Sequence, residues 1–168
     1  MKHLFVILIL FVSINSFAQS TDELDKKGGF KDFKIAEDIS TYKDRAKFTK
    51  TLDNADTKLF LVKDRVSVKI YTGEVELKVY KEKVAEVIVS FKNSNKDDFE
   101  DLVKSLEVLY GESKANKKKS AELDRFEKIQ TWSGKTIELR IGYDANRKLS
   151  EMVFSGKKND IDKLKEEF

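Results

Sequence analysis

Along residues 84–111, VAEVIVSFKNSNKDDFEDLVKSLEVLYG, the hydrophobic period changes once. The first part is dense in β-branched residues, which suits a buried strand. In the second part Phe99, Leu102, Val103, Leu106, Leu109 and Tyr110 recur at helical spacing, so the pattern predicts an amphipathic helix. Asn95 is positioned to cap its first turn, Asp97 and Asp98 place negative charge at the positive end of the helix dipole, and Gly111 offers a left-handed closing residue. Upstream, a turn at Gly28-Gly29 leads into a short strand over 30–35 and a helix in which Ile35, Ile39, Tyr42 and Ala46 share a face. A turn over 52–56 follows. Strands are then predicted over 58–62, 66–71, 75–80 and 84–89, with turns at Thr72-Gly73 and 81–83. Beyond the predicted helix, 112–121 reads as a loop. Strands follow over 125–132, 135–143 and 149–154, with turns at Ser133-Gly134 and 144–146, and a last helix starts at Asn159 with Ile161, Leu164 and Phe168 on one face.

The two sets of strands match each other beyond their alternation. Residues 75–79, VELKV, correspond to 137–141, IELRI, and 84–89, VAEVIV, correspond to 149–154, LSEMVF; Thr72-Gly73 and Ser133-Gly134 are taken as equivalent turns, and Asn95 and Asn159 as equivalent helix starts. Alternation dictates which positions are apolar, but not that Glu recurs beside Leu in the same order of elements. The fold expected is therefore α+β, a mainly antiparallel sheet with helices on one face, built from a duplicated βββα unit (57–111 and 122–168) preceded by a strand and a helix.

The first eighteen residues join Lys2 and His3 to an apolar run over 4–12 and small residues Ser16 and Ala18 before Gln19. That is the tripartite form of a secretory signal, with cleavage expected after Ala18. The apolar run is about half the roughly 20 residues a membrane span needs, so the processed chain is not expected to span a membrane, and it is assigned to the periplasm or the exterior. Residues 19–168 are a normal length for one domain. With no Cys, its stability must come from packing and hydrogen bonds alone.

Of the 33 basic residues only Lys2 would leave with the signal, against 30 acidic ones, and the two signs are interleaved. Nucleic acid is not the expected partner, because a duplex-binding face needs basic charge concentrated on one side. The single His is His3, so the processed chain would hold neither imidazole nor thiol. That excludes Ser-His-Asp and Cys nucleophiles, an imidazole base and the usual N/S zinc site. The S-x-x-K spacings at Ser40 and Ser155 occur without the companion motifs of a Ser-Lys enzyme. No Gly-rich phosphate loop or complete calcium loop is present. No catalytic residue, metal ligand or cofactor is expected.

What remains is the polar face of the sheet. Alternation assigns to it Lys69, Tyr71, Glu76, Lys78 and Tyr80 from the first unit, and Lys128, Gln130, Trp132, Glu138 and Arg140 from the second. Aromatics amid mixed charge suit a protein-binding face, and Tyr71, Lys78, Tyr80, Trp132, Glu138 and Arg140 are the candidate contact residues. The order of elements resembles the tandem α/β repeats of the beta-lactamase inhibitory proteins, which implies an open sheet that grips a partner protein. The chain, with its leader ending Ser16-Phe17-Ala18-Gln19, also looks like small secreted proteins of unknown function from Gram-negative bacteria of the Bacteroidetes kind. The function expected is a non-catalytic binding module that presents the polar sheet face to a protein or peptide of the envelope. The alternatives are a carrier of a small amphiphile between helices and sheet, and a structural envelope protein.

Overall fold

A computed structural model describes residues 21–52, 56–115 and 123–157. The signal segment, most of the 112–121 loop and the helix from Asn159 lie outside the described residues. In chain order the elements are α1 (Asp22–Lys27), β1 (Gly29–Phe30), β2 (Phe33–Lys34), a 3-10 turn (Ile39–Tyr42), β3 (Ala46–Thr51), β4 (Thr57–Val62), β5 (Val66–Val68), β6 (Tyr71–Tyr80), β7 (Lys83–Lys92), α2 (Lys96–Tyr110), β8 (Lys114–Ala115), β9 (Lys128–Ser133), β10 (Ile137–Asp144) and β11 (Leu149–Gly156). The fold is α+β and mainly sheet. Strands lie in the order β3-β4-β6-β7-β11-β10-β9-β8, every neighbouring pair antiparallel, with β5 paired to the start of β6; β1 and β2 form a separate hairpin.

The strands that alternate most cleanly in the sequence hold the core. Val75, Leu77 and Val79 of β6 meet Val89, Val87 and Val84 of β7, and β11 continues the layer with Phe154 opposite Val87 and Met152 opposite Val89. Leu139 and Ile141 of β10 lie opposite Phe154 and Met152. Across this layer α2 sets Phe99 against Tyr143 and Tyr110 against Phe154, while Phe30 packs on the same Phe154 ring. The α2 start is as the residues demand: Asn95 Oδ1 accepts from the Asp97 and Asp98 amides at 2.8 and 3.0 Å, and Asp98 accepts from the Asn95 amide at 2.9 Å.

Three local expectations are overturned. Residues 30–35 are not one strand but part of the β1–β2 hairpin, in which Phe30 pairs with Phe33 across a turn at Lys31-Asp32. Residues 35–46 do not form a helix. Ile39, Tyr42 and Ala46 are buried as their spacing implies, but the chain makes one 3-10 turn capped by Asp38 and then enters β3, because Ala46 onwards finds a ladder partner in β4. Pairing with a neighbouring strand satisfies the backbone and overrides a weak local helix signal. Nor is Thr72-Gly73 a turn. The reversal lies three residues earlier, at Lys69-Ile70, and β6 runs straight through Gly73. A Cβ on Gly73 would lie 2.7 Å from a Val89 methyl and 3.0 Å from the Phe91 ring, so this glycine marks a close approach in the core.

The N-terminal segment is held by one carboxylate. Asp25 of α1 accepts from the amides of Lys135, Thr136 and Ile137 at 2.5, 2.8 and 2.9 Å and from the Thr136 hydroxyl at 2.8 Å. Burial pushes its pKa up, but these four donors outweigh that and lower it to about 2. Gly134 in the same turn leaves room for the carboxylate, since a Cβ there would lie 2.5 Å from Asp25 Oδ1.

Candidate ligand groove and the open sheet face

The shift of the turn to Lys69-Ile70 decides which candidate residues share a face. With no turn at Gly73, Tyr71 keeps the parity of Val75 and Leu77 and points to the helix side, where its hydroxyl lies 3.4 Å from Asp101 Oδ2 of α2. Burial, and then the Asp101 and Asp98 carboxylates, raise its pKa. Trp132 pairs with Leu139 and therefore also faces the α2 side; it is 1% exposed, and its Nε1 donates to the Gly111 carbonyl at 2.8 Å. Gln130, opposite Ile141, and Lys128, opposite Tyr143 and 2.8 Å from Glu100 of α2, follow the same parity. Placing Tyr71 and Trp132 on the open face was thus a register error. A shift of one residue moves a whole strand to the other face, and β9 is paired to β10 out of phase with the assumed register.

Lys78, Tyr80, Glu138 and Arg140 do share the open face. Lys78 Nζ donates to Glu86 Oε1 at 2.8 Å, a half-buried pair. Arg140 and Glu138 are half-buried and have no side-chain partner among the described residues. Between them the face carries a shallow cleft of about 190 Å³, with Leu59 on one side and Arg125 and Phe126 on the other. The Phe126 ring sits over Gly142, where a Cβ would lie 2.6 Å from it.

A larger concavity of about 570 Å³ lies on the helix side. Phe30, Val68, Val108, Leu109 and Tyr110 form its apolar walls, Ser67 and Ser105 contribute hydroxyls, and Lys27, Lys31 and Lys69 complete the lining. Its volume is typical of a small-molecule site. The helix stripe placed Leu109 in the core, but Leu109 is 42% exposed and Val108 63% exposed, because no described residue covers them and the groove begins there. Tyr110 is 4% exposed, and burial raises its pKa. Its hydroxyl has no hydrogen-bond partner among the described residues. The Ser105 hydroxyl is occupied, donating to the Asp101 carbonyl at 2.6 Å.

Sequence reasoning missed this groove because its lining is spread over α1, the β1–β2 hairpin, the β5–β6 hairpin and α2, which contribute from one to four residues each. One signal was available. Val108, Leu109 and Tyr110 are consecutive and apolar, so the last turn of α2 could not have buried all three against one sheet. Among the described residues no group of three His, Cys, Asp or Glu is placed to hold a metal ion, and no helix is long and apolar enough to cross a membrane. Comparison with known proteins ends without a relative: no protein family matches the chain, and neither a curated protein nor a solved structure is similar to it.

Proposed function

We propose that this protein is a non-catalytic binding protein that carries a small amphiphile in the groove between its helices and its sheet. It would work in the periplasm or outside the cell once residues 1–18 are removed. The observation that carries the reading is the 570 Å³ groove walled by Phe30, Val68, Val108, Leu109 and Tyr110. Apolar walls of this extent that no described residue covers suit binding rather than packing. The lack of His and Cys after residue 18 supports a role without catalysis. The test is calorimetric titration of the purified protein with decanol below its solubility limit. Binding is expected, and Val108→Gln/Leu109→Gln should weaken it on the order of tenfold or more while leaving the melting temperature nearly unchanged, since both side chains are exposed. No heat of binding from the parent protein would refute the carrier.

A protein or peptide partner on the open sheet face is the second reading. The half-buried Arg140, which has no side-chain partner among the described residues, favours it, since a guanidinium in such a place is suited to a carboxylate from another chain. Arg140→Ala should then lower capture of that partner without changing amphiphile binding.

The proposal keeps the duplicated unit, with the helices gathered on one face. Its support is the register of the central pair. If 84–89 and 149–154 are equivalent, Ile88 faces its own equivalent, Val153, while Val87 faces Phe154 and Val89 faces Met152, as two copies related by a twofold axis would pair.

A further inference from the structure

We infer that the amphiphile carries an anionic head, and that Lys27, Lys31 and Lys69 hold it at the mouth of the groove. This rests on the carrier reading above and adds the chemistry of the ligand. Acidic and basic residues are nearly equal in number in this chain, 30 against 33, yet among the described residues the groove lining contains three Lys and no Asp or Glu. None of the three ammonium groups has a carboxylate partner among the described residues. Two are instead held against aromatic rings of the wall: Lys27 Nζ lies 5.0 Å from the centre of the Tyr110 ring and Lys31 Nζ 5.7 Å from that of Phe30.

The positions of these lysines also run against local preference. Lys31 and Lys69 each occupy the first residue of a two-residue hairpin turn, with φ of 52° and 51°. Gly or Asn adopts that conformation more readily than Lys does. Lys81 and Lys148 also take positive φ, away from the groove, so what sets Lys31 and Lys69 apart is that their two separate turns line the same concavity. The Tyr110 hydroxyl, without a hydrogen-bond partner among the described residues, adds a donor of the kind a carboxylate or phosphate oxygen accepts.

The experiment titrates the purified protein with decanoate, decanol and decyltrimethylammonium, each as monomer, at low and high salt. Decanoate should bind on the order of tenfold more tightly than decanol, and the preference should shrink as salt screens the lysines. The triple variant Lys27→Gln/Lys31→Gln/Lys69→Gln should bring decanoate down to the level of decanol and leave decanol where it was. Equal binding of decanoate and decanol by the parent protein would overturn the anionic head while leaving the carrier standing. Tighter binding of the quaternary ammonium would overturn it as well. Failure of all three to bind would refute the carrier itself. Association with phosphatidylglycerol vesicles without binding of monomeric decanoate would overturn the inference in favour of docking to an anionic membrane surface.

Discussion

Asp25 joins α1 to the β9–β10 turn through four hydrogen bonds, and three of its donors are backbone amides. Replacing it with Asn removes the charge and one acceptor oxygen and turns an amide group towards those donors. Asp25→Asn should therefore destabilise the protein by about 2 kcal/mol at neutral pH. The difference should depend on pH in one direction. The folded pKa, about 2, lies below the ordinary 3.8, so the stabilisation is complete above roughly pH 5 and is lost as pH falls toward 2. Denaturant melts of both proteins across that range should converge at the acid end; a gap that stays constant would show that the carboxylate charge is not what matters. Trp132 gives a second prediction at this scale. It is fully buried against Leu139 and bonded to the Gly111 carbonyl, so Trp132→Ala should lower stability by about 3 to 5 kcal/mol. A mutant that melts normally would return Trp132 to the open face where alternation alone had placed it.

At the scale of elements, the strands and α2 were legible because each has a single period over many residues and punctuated ends. The turns were less so. The β6–β7 hairpin closes on Lys81-Glu82 with φ of 45° and 63°, a geometry that Asn-Gly would announce and Lys-Glu does not. Left-handed backbone costs about 1 to 2 kcal/mol per residue that is not Gly, less for Asn. Lys81→Asn/Glu82→Gly should therefore raise stability by about 1 to 2 kcal/mol, net of the exposed Glu82–Lys58 ion pair, which contributes little. Chemical denaturation would check this, and a destabilised double variant would mean the Glu82 side chain matters more than its backbone. The same ambiguity misplaced the β5–β6 reversal. Thr72-Gly73 has turn composition, but its glycine serves packing, and the true turn at Lys69-Ile70 has no turn residue at all.

For the whole molecule, the strand order puts β7 and β11 at the centre and β3 and β8 at the two edges. Amides of β7 and β11 can exchange only when the sheet opens as a unit, whereas those of β3, whose side chains after Ala46 are exposed, need only the edge to fray. Native-state hydrogen exchange should rank them accordingly. Protection of β3 equal to that of β7 would show that something covers the edge. The lysines of β3, Lys47 and Lys50, also suit an edge that must not pair with a second chain.

By itself the sequence determined the α+β class, the long strands, α2 with its Asn95 cap, and the scarcity of proton-moving chemistry, because period, caps and residue inventory are local properties. Faces and partners were decided only by tertiary structure. Whether Tyr71 and Trp132 look outward depends on where a turn falls and how β9 registers on β10, and a single residue of slip reverses both. The 35–46 segment became a 3-10 turn and a strand because β4 offered a ladder to residues whose own preference was weak. The groove was decided at the same level. Lys27, Lys31 and Lys69 come from three places in the chain with no common spacing, and only the packing of α1, two hairpin turns and the end of α2 brings them round one apolar concavity.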